Sequence, residues 1–191
     1  ALFVLYAEIT RFTDTQDRGL VLGRLVIDDD HVFCMTITKT RSPIHENAMQ
    51  ASFAILNDYK PVRQAAGHNS PFALRVIDTQ NLFAAQGITA VEAVRMREAG
   101  ASVQQIRVRL EELAQNTHGY MIPRDLYYLR ARARTKGDRS VSFLGAALGS
   151  ALDIKPVLYG HAGRTEPVAK RKGFDNAVEQ MFKFAGNRVI S

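Results

Sequence analysis

The chain has 191 residues, of which 46% are hydrophobic and 23% charged, and its formal net charge is +6. This length suits one large domain or two small ones, and the composition is that of a globular protein. No stretch approaches the roughly 20 apolar residues that a membrane-spanning helix needs, and the opening residues lack the basic start of a signal peptide. Cys34 is the only cysteine, so intrachain disulfides are excluded and a cytoplasmic location is expected.

The first thirty residues give weak signals. Residues 1–10 read as a strand or the end of a helix, and an apolar segment from Gly19 to Ile27 ends in the acidic turn Asp28-Asp29-Asp30. These carboxylates lack the alternate spacing and the glycine of a calcium loop. We therefore expect a solvated turn rather than a metal site.

A buried strand comes next, followed by a series of hydroxyl side chains. Residues 32–35 are an unbroken apolar run, which is typical of a strand buried on both faces. Thr36, Thr38, Thr40 and Ser42 then place hydroxyls at alternate positions. Ser42-Pro43 predicts a helix start, with Ser42 as the N-cap and Pro43 in the first turn.

This strand-to-helix turn is a candidate anion site. The free N–H groups and the positive end of a helix dipole favour a carboxylate or a phosphate, and Arg41 adds a positive charge beside them. The other interpretation is purely structural, because a capping serine stabilises any helix by about 1 kcal/mol.

The rest of the first half predicts one more strand and two helices. Pro61 and Gly67 mark a loop over residues 57–70, and a strand is expected over residues 72–77. Asn81 is a possible cap for a helix that ends at Gly100, with an apolar stripe formed by Ile88, Val91 and Val94. Ser102 and Gln105 form a capping box for the next helix, whose stripe is Ile106, Leu110 and Leu113.

From residue 118 the pattern changes to short strands and helices. A strand is predicted at residues 120–122, a helical turn at 124–129, and a helix at 142–152. Strands at 154–159 and 165–170 flank a glycine-containing hairpin turn, and an amphipathic helix begins at Phe174. We therefore expect an α/β domain over residues 1–117 and a smaller α+β domain over 118–191.

The sequence carries no recognisable catalytic motif. It has no nucleophile elbow, phosphate-binding P-loop or dinucleotide fingerprint, and its five histidines show no metal-ligand spacing. We therefore predict a binding protein that is not an enzyme, with no metal and no cofactor.

A basic loop over residues 130–139 invites comparison with nucleic-acid-binding proteins. It lacks the interleaved aromatic residues that stack on bases, so nucleic acid is not the expected partner. We predict a docking surface for an acidic partner instead, formed by Arg130, Arg132, Arg134, Arg139 and Lys172.

Three segments in order resemble the DegV family. They are VIDTQNLFAAQG from Val76, DLYYLRARAR from Asp125 and LGSALDIKPVL from Leu148, and the ending GRTEPVAKRKGFDNAVEQM agrees with them. The resemblance implies a two-domain α/β fold that encloses a long-chain fatty acid and presents its carboxylate to a separate kinase. The N-terminal Asp-Ser motif and the closing His-x-Gly stretch of that family have no confident counterpart, so both family termini are expected to be missing or diverged.

The resemblance also suggests which residues hold the ligand. The segment TKTRSPIHENA stands where the family has Ser-Ser-x-x-Ser-Gly-Thr-Tyr, so Thr38 matches the first serine and Ser42 the serine that holds the carboxylate. Pro43 and His45 stand where glycine and tyrosine are usual. The predicted ligand-binding residues are Ser42, Thr38, Arg41, Thr40 and His45.

The function implied by the resemblance is the binding of a long-chain fatty acid in an apolar tunnel, for presentation to a partner kinase. One alternative is a degenerate family member that serves as an interaction module and docks an acidic partner through the basic loop. A third possibility is an enzyme that binds a small anion or phosphate. An apolar tunnel favours the first, a collapsed interior the second, and polar groups converging on a shallow cleft the third.

Overall fold

The computed structural model describes residues 2–6, 24–82, 84–127 and 153–190. The chain divides into two compact units, residues 1–117 and 118–191, and each is described by itself. The first contains a parallel sheet with helices on both faces, and the second an antiparallel sheet with a helix. The fold is therefore α/β with a second, antiparallel sheet, as predicted.

Three parallel strands form the sheet of the first unit, in the order β1-β2-β3. They are β1 (Leu2–Tyr6), β2 (His31–Thr36) and β3 (Ala73–Asp78). The central strand β2 pairs Cys34 with Leu5 on one side and with Val76 on the other. All of β2 after His31 is buried, which confirms the strand predicted from its unbroken apolar run.

Alternate residues of β2 enter two different cores. Val32 and Cys34 pack against a short helix, α1 (Val26–Asp28), and a long one, α2 (Ile44–Ala65). Phe33 and Met35 pack against α3 (Ala85–Glu98) and α4 (Val103–Asn116) on the opposite face. The period of two along a strand produces this three-layer arrangement.

Helix α2 is longer than the sequence predicts. The prediction that it ends before Asn57 is wrong, because the helix continues through Pro61 to Ala65. A proline in a helix interior costs about 3 kcal/mol. Contacts with other parts of the chain must therefore stabilise the end of α2.

Arg63 provides that anchor. Its side chain is only 2% exposed and donates to the carbonyl oxygens of Val26 (2.6 Å), Asp29 (2.9 Å) and Ser70 (2.9 Å). It also forms an ion pair with Asp30. Hydrogen bonds from a charged group contribute about 1.5–3 kcal/mol each, so several of them offset the proline.

Helix α3 begins at a different residue than predicted, and a different face of it is buried. Its N-cap is Ala84, without a side-chain cap, and Asn81 lies outside the helix. Ile88 and Val91 are 46% and 71% exposed, so the predicted stripe does not form the buried face. The buried residues of α3 are Ala85, Gln86, Thr89 and Ala93.

Helix α4 follows its prediction closely. Ser102 and Gln105 form the reciprocal capping box, and Ile106 and Leu110 are buried. Leu113 is only partly buried, and Ala114 completes the buried face instead.

The antiparallel sheet of the second unit has the order β4-β5-β6. Its strands are β4 (Gly119–Met121), β5 (Ile154–His161) and β6 (Arg164–Lys172), and helix α5 (Phe174–Ile190) follows. The hairpin between β5 and β6 turns at Ala162 and Gly163, both with positive φ (47° and 77°). Two central residues with positive φ suit the right-handed twist of the strands.

Some predictions lie outside the described residues. They concern the basic loop at 130–139, the helix at 142–152 and the last two residues of the helical turn at 124–129. Among the helices that the structure does describe, none combines the length and hydropathy needed to cross a membrane. In the same part of the chain, no three His, Cys, Asp or Glu side chains are grouped so that they could hold a metal ion.

Candidate functional site

The candidate site lies at the carboxyl ends of β2 and β3, where β2 leads into the turn before α2. In open parallel sheets, ligands bind at this edge. The turn spans residues 37–43 and contains most of the hydroxyl series predicted from the sequence.

Thr36 joins the end of β2 to the first turn of α2. Its hydroxyl is fully buried, lies 3.1 Å from Nδ1 of His45, and is 3.4 Å from the carbonyl oxygen of Ile77, to which it donates. A hydroxyl has a single hydrogen, so the bond to Ile77 makes Thr36 the acceptor from a protonated Nδ1 of His45. His45 is thereby fixed against the strand end.

The end of β3 holds the turn in place from the other side. Both the backbone N–H and the hydroxyl of Thr79 donate to the carbonyl oxygen of Thr36, at 3.2 and 2.8 Å. The carbonyl oxygen of Asn81 accepts from the N–H of Thr38 at 3.1 Å, and the Asn81 amide donates to Thr117 at 2.7 Å. Thr79 and Asn81 are both buried, so the turn rests on a rigid, satisfied polar layer.

Gln80 sits between these two residues in the left-handed region, with φ of 52°. This conformation is uncommon for a residue other than glycine and is held by the surrounding structure. The Gln80 N–H donates to the carboxylate of Asp78 at 2.9 Å. The carboxylate of Asp78 thus helps to hold the left-handed turn at the end of β3.

Two of the predicted ligand residues are in direct contact. The hydroxyls of Thr38 and Thr40 lie 3.1 Å apart, and the N–H of Arg41 donates to the carbonyl oxygen of Thr38 at 3.0 Å. Thr38 is only 1% exposed, whereas Thr40 is exposed.

Helix α2 begins one position later than predicted, so the prediction of Ser42 as its N-cap is wrong. The N-cap is Pro43, whose carbonyl oxygen accepts from Asn47 at 2.9 Å, and the Ser42 hydroxyl oxygen accepts from the N–H of Ile44 at 3.3 Å. Because Ser42 accepts in this bond, its own hydrogen can be donated to another group. Pro43 has no N–H to offer a ligand.

The residues predicted for partner docking are not part of this turn. Lys172 is exposed at the end of β6 in the second unit, and Arg130, Arg132, Arg134 and Arg139 lie outside the described residues. The sequence places Thr36 in the hydroxyl series, but it assigns no role to Thr79 and suggests only a helix-capping role for Asn81. A threonine two residues after the end of a predicted strand is the signal that could have identified Thr79.

The chemistry available here is hydrogen-bond donation rather than nucleophilic attack. The Thr36 hydroxyl contacts a histidine but is fully buried, so a substrate could not reach it. Burial also raises the pKa of the nearby Cys34 thiol to about 12, which keeps it protonated and inert. Hydroxyl hydrogens beside a helix N-terminus are suited to holding an anion.

A family model and two curated relatives match this chain over most of its length. A family model described as "Uncharacterised protein, DegV family" matches residues 19–189. A DegV domain-containing protein of Xanthomonas campestris pv. campestris is 73% identical over 183 residues, and one of Xanthomonas axonopodis pv. citri is 70% identical over 183 residues. Each of these matches covers 96% of this chain and 58% of the relative, so this chain spans little more than half of the relatives' length.

Solved structures show the same fold. A stearic-acid-binding protein of Eubacterium ventriosum has a TM-score of 0.68 at 21% identity, with 88% of this chain and 52% of that chain covered. A fatty-acid-binding DegV family protein of Thermus thermophilus has a TM-score of 0.66 at 24% identity, with 90% and 54% covered. By the match of the family model and the identity to these relatives, the chain belongs to the DegV family.

Proposed function

We propose that this chain binds a long-chain fatty acid, with the carboxylate at the turn between β2 and α2. The observation that carries the proposal is Ser42, which accepts from the first N–H of α2 and keeps a hydrogen to donate. A carboxylate beside it would also gain from the positive end of a 22-residue helix. Thr40 supplies a further, exposed hydroxyl within the same turn, and the buried hydroxyl of Thr38 lies 3.1 Å from it and orients it.

His45 would complete the polar cluster. With Nδ1 bonded to Thr36, the opposite nitrogen Nε2 faces away from that bond. A protonated imidazole would donate from Nε2 to the carboxylate and add a positive charge beside it. His45 would thus do the work of the tyrosine that the family resemblance leads us to expect at this position.

The acyl chain would occupy an apolar tunnel and supply most of the affinity. Each buried CH₂ group contributes about 0.8 kcal/mol, so a long chain binds strongly while the polar cluster sets its orientation. Support for this ligand comes from relatives of the same fold, since the Eubacterium ventriosum protein binds stearic acid. No metal or other cofactor takes part in this proposal.

We further propose that the bound carboxylate is presented to a partner kinase. The sequence carries no phosphate-binding P-loop, and in this proposal the phosphoryl transfer would belong to the partner. The protein would contribute a shielded acyl chain and a fixed carboxylate.

A thermal-shift series with long-chain fatty acids tests the proposal. Delipidated protein should unfold at a higher temperature with at least one acid of the series, at concentrations where binding adds about 1–3 kcal/mol to the free energy of unfolding. If no acid of the series changes the unfolding temperature, fatty-acid binding is contradicted.

Substitutions of Ser42 separate capping from ligand binding. Ser42→Asp keeps an acceptor for the N–H of Ile44 but places a negative charge beside the carboxylate, and we expect roughly tenfold weaker binding. Ser102→Asp is the matched control, because it adds the same charge at the capping serine of α4. Equal affinities of the two variants would show that Ser42 does not hold the carboxylate.

A further inference from the structure

One face of the antiparallel sheet in the second unit carries two rows of ring-bearing and charged side chains. In the first row, Tyr120 pairs with Tyr159, and Tyr159 pairs with Glu166. Two residues along β5, His161 pairs with Arg164. Since residues i and i+2 of a strand face the same side, both rows lie on one face of the sheet.

His118 extends the second row to the neighbouring strand. Its ring stacks on that of His161, with centroids 4.1 Å apart and planes inclined by 21°. Its Nδ1 lies 2.7 Å from the hydroxyl oxygen of Tyr159, which fixes the ring orientation. We call His118, His161 and Arg164 the basic row.

A further cation reaches the same face from α5. The guanidinium of Arg188 lies 4.5 Å from the ring centroid of Tyr159. Desolvation by neighbouring groups lowers the pKa of His118, and repulsion from His161 and Arg188 lowers it further. The basic row therefore lies in a positive electrostatic potential, next to a row that contains the carboxylate of Glu166.

We propose that the basic row, together with Arg188, binds a dianionic oxyanion such as inorganic phosphate or the terminal phosphate of a small molecule. Guanidinium and imidazolium groups donate short, charge-assisted hydrogen bonds to such oxygens. Neighbouring side chains of the row stand on adjacent strands, about 4.8 Å apart, a spacing that one tetrahedral anion can bridge. His118 and Arg164 are exposed and His161 is partly exposed, so an anion can reach the row from solvent.

The two histidines make this site depend on pH. An imidazole attracts an anion more strongly when it carries a proton, and anion binding in turn favours the protonated form of such a ring. The titratable and charged groups that face them are Tyr120 of β4, Tyr159 of β5, Arg164 and Glu166 of β6, and Arg188 of α5. The arginines stay charged and the carboxylate of Glu166 opposes anion binding, so the histidines set the direction of the pH dependence. Binding is tighter at lower pH.

Calorimetric titration with sulfate tests the pH dependence, because the charge of sulfate is constant over the relevant range. We expect sulfate to bind at least about tenfold more tightly near pH 5.5 than near pH 8. Inorganic phosphate and glycerol 3-phosphate, compared at one pH, distinguish a free anion from one carried on a small molecule. No measurable sulfate binding near pH 5.5, or equal affinity at both pH values, would overturn the proposal.

Variants of the 191-residue chain locate the site. Arg164→Gln removes an exposed cation and His161→Asn a ring of the stack, and each should weaken sulfate binding by about tenfold. Lys183→Gln is the control, since Lys183 is an exposed cation on α5 that pairs with Glu179 away from the basic row. Equal losses in the control would assign the binding to the net positive charge of the chain and contradict the site.

A spectroscopic readout keeps the test independent of folding defects. In the intact protein near pH 5.5, sulfate should move the NMR signals of the ring protons of His118 and His161 and leave those of His68, which lies in an exposed loop of the first unit. Equal movement of all three signals would contradict the proposal. None of these outcomes bears on fatty-acid binding, because the two sites lie in different units.

Discussion

Helices α3 and α4 pack on the same face of the parallel sheet but bury very different side chains. Helix α4 inserts large aliphatic residues, Ile106 and Leu110, which are 1% and 0% exposed. Helix α3 inserts small ones, of which Ala93 is 0% exposed, and leaves Val91 71% exposed. The difference shows that a helix can be held in a core through small side chains that allow close approach.

Helix α3 also buries polar side chains, and it can do so because their hydrogen bonds are satisfied. The hydroxyl of Thr89 is buried but donates to the carbonyl oxygen of Gln86 at 2.7 Å. Its hydrogen bond is thus satisfied within the helix, and the methyl group remains for packing. The exposed Ile88 and Val91 line a groove with Leu113 of α4 instead of entering the core.

The largest expected effect comes from removing a large side chain of α4. Leu110→Ala should lower the free energy of unfolding by about 2–5 kcal/mol, because it leaves a cavity in a closed core. Val91→Ala on α3, a similar deletion at an exposed site, should change it by less than about 0.5 kcal/mol. Urea denaturation of both variants measures the difference, and comparable losses would show that Val91 is buried in the folded protein.

A smaller effect should distinguish the two helix starts. Ser102→Ala removes the capping box of α4 and should cost about 0.5–2 kcal/mol, whereas Ser102→Asp should retain most of the stability. Helix α3 has no side-chain cap, so its start depends on packing alone. Urea denaturation of the two Ser102 variants measures this difference in stability. A neutral Ser102→Ala variant would mean that packing also fixes the start of α4.

The smallest effect concerns the ion pairs that link the two helices. Glu92 of α3 contacts Arg95 on its own helix at 2.7 Å and Arg109 of α4 at 3.3 Å. The hydrogen bond from Arg95, followed by that from Arg109, lowers the pKa of Glu92 from 4.5 to about 2. Since the folded-state pKa is the lower one, this contribution is complete above about pH 4.5 and is lost as the pH falls towards 2.

Glu92→Gln is the variant that tests this pH dependence. Its difference in stability from the natural chain should be largest above about pH 4.5 and should vanish towards pH 2. The difference should also shrink in high salt, because these charges face solvent. A difference that stays constant between pH 6 and about pH 2 would rule out the ion pairs as its source.

Local features of the sequence predict much of this fold. The apolar run at residues 32–35, the Ser102–Gln105 capping box and the hairpin around Gly163 are each specified by neighbouring residues. The family resemblance is carried by motifs of the same local kind, and the family match confirms it. Interactions within a single turn or strand do not require knowledge of the rest of the chain.

Predictions failed where distant parts of the chain decide the outcome. Helix α2 continues past Pro61 because Arg63 reaches residues more than thirty positions earlier, including Val26. The stripe of α3 was assigned to the wrong face because periodicity marks apolar positions without saying which surface the sheet covers. Both errors come from contacts that no local pattern encodes.

The residues of the candidate site also fall into two groups, those that a local pattern predicts and those that only the tertiary structure brings in. Thr38, Thr40 and Ser42 follow one another along the chain, so the sequence by itself determined a hydroxyl-rich turn before a helix. Thr79 and Asn81 join that turn only because β2 and β3 pair in parallel with Thr36 opposite Asp78. Such pairing joins residues about forty positions apart, and its register depends on burying both faces of the sheet at once. The register of the two strands is therefore a property of the tertiary structure. The tertiary structure alone decided which polar groups surround the site.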